Sequence, residues 1–231
     1  MGACSALLVH GAGGGAWEWN LWRGVLEAHA FAVHALELQP AAAGLAATTV
    51  QDYRNQVRDA LQALPHPRVL MGASLGGLLA AMCADQADAL VLVNPLPPAP
   101  WHRLLPPPDW NADVIPWQCN ARLASTREAL GDADDASAIF AFRHWRDESG
   151  AVLGEAQAGM QAAKPACPTL LIASVRDEYI PPGIFLAMSR EWQAERLETV
   201  ASSHVGPLLG RAAPAIALQA VAWLNRIKPL R

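Results

Sequence analysis

No run of lysine or arginine occurs anywhere in the 231-residue sequence, and the formal net charge is −4. A nucleic-acid groove therefore has no electrostatic basis. Cysteine is scarce too: Cys4, Cys83, Cys119 and Cys167 form no Cys-x-x-Cys pair and show no metal-ligand spacing. Zinc and dithiol redox motifs are thereby excluded, and buried free thiols in a reducing compartment are expected. No apolar run reaches membrane-spanning length without interruption. The opening "MGACSALLVHG" has no basic stretch ahead of its apolar residues, so it does not read as a signal peptide. Ala6 stands where a myristoylation signal needs Ser or Thr. A soluble, cytoplasmic chain is the expectation.

What the sequence does have is apolar bulk. Hydrophobic residues make up 52% of it against 16% charged, and there are nine tryptophans. That suits one well-packed α/β domain, or such a domain with a modest insertion. Short β-like runs alternate with helical patterns. Strands are expected at Ser5–Gly11, Phe31–Leu38, Arg68–Ser74 and Ala89–Pro95, each a largely continuous apolar run. Between them lie helical patterns at Trp17–His29, at residues 48–64 and at Leu75–Ala84. The second of these opens with Thr48 three residues before Gln51, a capping-box spacing, and carries Val50, Tyr53, Val57, Leu61 and Leu64 on one face. From Leu96 to Pro165 the alternation breaks into Pro-, Trp- and Arg-rich sequence with helical patches such as "SAIFAFRHW" and no convincing strand. It resumes with a strand at Pro168–Ser174, a helix near Gly183–Gln193, the strand "ERLETVA" and a closing helix over Ala212–Lys228. Such alternation predicts an α/β fold with a mostly parallel sheet of about six strands flanked by helices. The core is expected over residues 1–95 and 166–231, with residues 96–165 inserted after the fourth strand.

Within "VLMGASLGGLLAAM", Ser74 falls at the carboxyl end of a strand and the start of a helix, flanked by Gly72 and Gly76. Active sites of parallel α/β sheets form at strand carboxyl ends. A nucleophile on a sharp strand-to-helix bend needs small neighbours two residues away on either side, because the two backbones approach there. The bend also aims the Leu75 amide over the serine oxygen. A serine needs a base, and the base an orienting acid, in the chain order Ser, acid, His for this architecture. Asp177 lies three residues beyond the strand "TLLIAS", with Glu178 a rival one residue further on. His204 follows the last short strand in a Ser/Gly loop. The small-residue run in "VHGAGGGAW" lets main-chain amides approach a substrate, and the Ala12 N–H is the choice to pair with that of Leu75 as an oxyanion hole.

On "LLVHGAGGGAWEWNLWRGVLEAHAFAVHALEL", "MGASLGG", "RDEYIPP" and "SSHVGP", the chain resembles the α/β-hydrolase-fold serine hydrolases, in particular the branch of plant methyl esterases and hydroxynitrile lyases. The resemblance covers Ser5–Pro95 and Pro168 onward. It implies a helical cap over the active site at residues 96–165, and leading antiparallel strands that are shortened or absent. Two departures stand out. Ala73 replaces a common elbow His, which leaves the mechanism intact. The lyases carry Thr after the oxyanion-loop His and Lys after the catalytic His, where this sequence has Gly11 and Val205. No ammonium is then available to a leaving cyanide.

The resemblance implies a carboxylesterase-like enzyme that hydrolyses a small-molecule carboxylic ester or thioester through an acyl-enzyme, with Ser74, His204 and Asp177 as catalytic triad. It implies no metal or organic cofactor. Trp17 and Trp19 are candidates for a substrate wall beside the oxyanion loop. Trp101, Trp110, Trp117 and Trp145, with Pro106–Pro108, are candidates for an apolar lid; ordinary packing is the competing explanation for each. Arg103, Arg122, Arg143 and Arg146 are available to a carboxylate-bearing substrate, although solvated surface charge accounts for them more simply. The rival functions are carbon–carbon cleavage or acyl transfer on the same triad, and ligand binding without catalysis.

Overall fold

A computed structural model describes residues 4–107, 111–199, 203–227 and 230. Six strands form one sheet: β1 (Ser5–Val9), β2 (Ala32–Leu36), β3 (Arg68–Ala73), β4 (Ala89–Val93), β7 (Thr169–Ser174) and β8 (Glu195–Thr199). Their order is β2-β1-β3-β4-β7-β8, and every pairing is parallel. β1, β3, β4 and β7 are buried at every residue, which is why they read as unbroken apolar runs; β2 and β8, at the edges, are part-exposed. Both faces are covered. Helices α2 (Val50–Gln62), α3 (Leu75–Met82) and α7 (Pro182–Trp192) pack on one side. Helices α1 (Asn20–Ala28), α8 (Gly206–Leu209) and α9 (Ala213–Leu224) pack on the other.

Residues between β4 and β7 stay out of the main sheet. They form α4 (Leu123–Ala129), α5 (Asp135–His144) and α6 (Gly150–Gly159). They also form a two-residue antiparallel ribbon, β5 (Val114–Ile115) with β6 (Glu148–Ser149). The ribbon corrects the expectation of no strand there; a two-residue strand has no period to detect. This segment straddles the sheet's end: Val152 and Ala156 of α6 join one apolar cluster, Ala138 and Ala141 of α5 the other.

Local signals were displaced by a residue in one place. The capping box of α2 is built by Thr49 and Asp52, whose side chains take each other's amides at 3.3 and 2.9 Å. Thr48 is fully buried instead, donating its hydroxyl to the Gly44 carbonyl. Along α2, Val50, Tyr53, Val57 and Leu61 face the core as expected. All four cysteines are free, but only Cys83 is buried; Cys4 and Cys167 are half-buried and Cys119 is exposed. No helix among the described residues is long and apolar enough to cross a membrane.

Candidate active site

Parallel register brings the ends of β1 and β3 side by side, Val9 beside Gly72, so the loops that follow them touch. Ser74 sits in the bend between β3 and α3 with φ of 52° and ψ of −120°. An L-residue avoids this conformation at a cost of about 1–3 kcal/mol, so the surroundings must impose it. They do so through the backbone. The Ser74 N–H donates to the Val93 carbonyl at 3.0 Å, and the Ser74 carbonyl accepts from Gly77, Leu78 and Leu96 at 2.9–3.2 Å. The flanking glycines are steric necessities: a Cβ on Gly72 would overlap the Gly76 carbonyl, and one on Gly76 would overlap the Val9 carbonyl.

The three side chains singled out by chain order meet here. Ser74 Oγ lies 3.0 Å from His204 Nε2, and His204 Nδ1 lies 2.7 Å from Asp177 Oδ2. The Asp177 side chain is wholly buried and that of His204 is 12% exposed. Asp177 Oδ1 accepts the Tyr179 and Ile180 amides, both at 2.9 Å, which holds the carboxylate plane. An ionised Asp177 makes Nδ1 the protonated nitrogen, so Nε2 is left to accept from the Ser74 hydroxyl. Glu178 is exposed and its side chain takes no part. Two amides face no partner among the described residues, Leu75 N–H at the start of α3 and Ala12 N–H in the loop after β1. That loop touches the elbow directly, since a Cβ on Gly11 would sit 3.3 Å from Ser74 Cβ.

A strained serine at a strand-to-helix bend is thus bonded to a late histidine, which is bonded to a buried aspartate. Residues 6–218 match the Alpha/beta hydrolase family. The chain belongs to that family. An alpha-hydroxynitrile lyase of Arabidopsis thaliana is 34% identical over 108 residues, which span 42% of this chain and 41% of the length of that relative. Among solved structures, a methylesterase protein, MES16, from Arabidopsis superimposes with a TM-score of 0.71 at 15% identity, covering 95% of this chain and 99% of that one. Tomato methylketone synthase I, complexed with 2-tridecanone, gives a TM-score of 0.77 at 15% identity over 99% and 100% of the two chains. At such identities the last two show the shared fold.

In this α/β-hydrolase the tryptophans mostly pack. Trp19 is fully buried, edge-on to Trp22 at 5.4 Å in the core, so it offers no wall to a substrate. Trp17 packs edge-on against Phe140 and Trp145 at 5.7 and 5.2 Å, joining the first loop to α5. Trp101 is 7% exposed and stands edge-on to Trp192 of α7. The expectations for Trp19 and Trp101 give way to core packing, because an indole inside an apolar cluster gains more from burial than from display, whereas Trp17 stays part-buried beside the loop. Trp117 differs: it is 39% exposed and lies against Gly13 of the first loop. Trp110 and Pro108 fall outside the described residues. Of the arginines, Arg146 is engaged within the protein, donating to the Gly14 carbonyl and pairing with Glu37 at 2.7 and 2.6 Å.

Sequence reasoning missed several residues around this α/β-hydrolase site. Asn94, buried just past β4, donates Nδ2 to Ser174 Oγ at 2.9 Å and to the His204 carbonyl at 2.7 Å, and accepts the Ser174 amide at 2.8 Å. Glu148 of β6 accepts from Gly13 N–H, the Tyr53 hydroxyl and Ser149 N–H at 2.8–3.0 Å. Asp132 accepts the Ser203 amide and hydroxyl at 2.9 and 3.0 Å, next to His204. Buried Glu18 accepts the Gly11 amide at 2.9 Å. A polar residue immediately after a buried strand was the available signal for Asn94; the carboxylates had none. His10 is neutral, its pKa lowered to about 4 chiefly by burial, with Nδ1 on the Gly11 carbonyl at 2.8 Å. Among the described residues, no three His, Cys, Asp or Glu side chains group to hold a metal ion.

Proposed function

We propose that the chain is a serine hydrolase that cleaves a carboxylic ester or thioester of a small to medium, largely apolar molecule through an acyl-enzyme. The carrying observation is the continuous hydrogen-bonded line from Asp177 through His204 to Ser74, beside two amides with no partner among the described residues. In this reading Ser74 Oγ attacks the acyl carbon while its proton passes to His204 Nε2. The Leu75 and Ala12 amides stabilise the resulting oxyanion, and Asp177 offsets the charge on the imidazolium. Collapse breaks the bond to the leaving group, which takes the proton from Nε2. Water then attacks the acyl-enzyme by the same route and releases the acid.

Exposed aromatic surface supports an apolar substrate: Tyr179 is 58% exposed with its ring 5.4 Å from that of His204, and Trp117 lies on the oxyanion loop. Residues 96–165 would act as the cap, and Trp117 belongs to it. The partial likeness to a hydroxynitrile lyase does not carry cyanohydrin cleavage to this chain, because Val205 supplies no ammonium beside His204. A fluorophosphonate probe tests the reading. It is expected to label Ser74, and Ser74→Ala should abolish both labelling and aryl-ester turnover in a folded protein. In labelled water, hydrolysis places solvent oxygen in the acid product, whereas carbon–carbon lysis or transfer to another acceptor does not. Turnover that survives in Ser74→Ala would refute the mechanism.

A further inference from the structure

One buried ionisable group beside the nucleophile has no step in the mechanism above. Glu18, in the short turn Ala16–Trp19, is 3% exposed. A Cβ added to Gly11 would lie 3.3 Å from Ser74 Cβ and 3.6 Å from Glu18 Oε2, so one glycine separates the carboxyl from the nucleophile. A Cβ on Gly14 would overlap Glu18 Oε1. The small residues of this loop thus make room for a carboxyl group as well as for a substrate. Among the described residues the carboxyl makes one hydrogen bond, from the Gly11 amide at 2.9 Å. Burying a carboxyl on so little compensation is costly, and apolar packing would fill the space more cheaply.

The loop's amides show what the group does. Gly11 N–H goes to Glu18, Gly13 N–H to Glu148 at 3.0 Å, and Gly14 N–H to the Gly11 carbonyl at 3.3 Å. Ala12 N–H lies between two amides that are each held by a buried carboxyl. We propose that Glu18 is a positioning residue of the active site: by holding the Gly11 amide it fixes the loop so that the Ala12 amide is left for the oxyanion. This rests on the serine-hydrolase reading. The charges that face the carboxyl are His204 and Arg146, which favour its ionised form, and Glu37, which opposes it. Neutral His10 precedes Gly11, and Glu148 holds the loop at Gly13. Burial dominates and pushes the Glu18 pKa from 4.5 to about 7. Below about pH 7 the carboxyl is therefore neutral, and its Oε2 still accepts the Gly11 amide.

The test compares Glu18→Ala and Glu18→Gln in the full chain with an aryl ester, using an aryl boronic acid as the tetrahedral mimic. Glu18→Ala is expected to lower kcat about 10- to 100-fold with KM nearly unchanged, as a misplaced donor would. Boronate affinity should fall with kcat. Glu18→Gln keeps an acceptor for Gly11 and should restore most of the lost kcat. Wild-type kcat in Glu18→Ala would overturn the proposal, as would a Glu18→Gln variant that rescues nothing. If Glu18→Ala does not fold, Glu18→Leu, which fills the same space without an acceptor, decides on the same kcat and boronate readouts. A Ser74→Ala variant that still turns over ester would sink the serine-hydrolase reading instead, whatever Glu18 does.

Discussion

At residue scale the site depends on two non-glycine residues held at positive φ, Ser74 at 52° and Asn94 at 40°. Both stand at carboxyl ends of central strands, and each is over-determined by hydrogen bonds from neighbouring strands and loops. Asn94 makes three bonds that tie β4 to the first residue past β7's apolar run and to the carbonyl of His204. Removing it should leave the Ser174 amide and the His204 carbonyl unsatisfied in a buried setting. Asn94→Ala is expected to cost about 2–4 kcal/mol in urea denaturation and to lower kcat. Asn94→Gly loses the same bonds but accepts the backbone conformation, so it should be the more stable of the two yet similarly slow. Wild-type kcat in Asn94→Gly would show that these bonds do nothing for His204.

At the scale of elements, the inserted segment is stitched to the site at two points. Asp132, between α4 and α5, holds Ser203 beside His204, and Glu148 of β6 holds Gly13 of the loop after β1. The cap in this reading therefore braces both catalytic loops as well as covering them. Asp132→Ala should lower kcat roughly 10-fold by loosening the loop that carries His204. Its loss of stability should stay below about 2 kcal/mol, since both bonds are only part-buried. Stopped-flow acylation with an aryl ester would check it, and an unchanged acylation rate would exclude the brace. The contrast between what the sequence discloses and what it hides follows the same division. The four central strands of the main sheet were legible because burial on both faces forces continuous apolar runs. That Ser74, Asp177 and His204 meet was legible because a serine–histidine–acid relay, the one proposed, needs fixed residue types at strand ends in a fixed order. Glu18, Glu148 and Asp132 act through single bonds to distant backbone amides, and no period or spacing encodes such a bond. Trp19 and Trp101 show the converse: residue type alone does not separate a pocket wall from a core.

At the scale of the whole molecule, two buried ionisable groups on opposite sides of Gly11 act against each other on stability. Burial raises Glu18 from 4.5 to about 7 and lowers His10 from 6.5 to about 4. With its folded pKa raised, Glu18 contributes stability that is fully present below pH 4.5 and lost as pH rises towards about 7. With its folded pKa depressed, His10 contributes stability that is present above pH 6.5 and lost as pH falls towards about 4. Between pH 4.5 and 6.5 the folded protein keeps the Glu18 proton that the unfolded chain has released, and lacks the His10 proton that the unfolded chain holds. The two slopes have opposite signs and roughly cancel. Glu18→Gln removes one of them. Its stability relative to the wild type should therefore rise with pH across that window by roughly 1.4 kcal/mol per pH unit, then level off above about pH 7. Urea denaturation of both proteins from pH 4.5 to 8 measures that difference directly and subtracts every other titrating group. A difference that stays flat with pH would mean that Glu18 ionises in the folded protein much as it does in water, and that the carboxyl behind the loop after β1 is solvated.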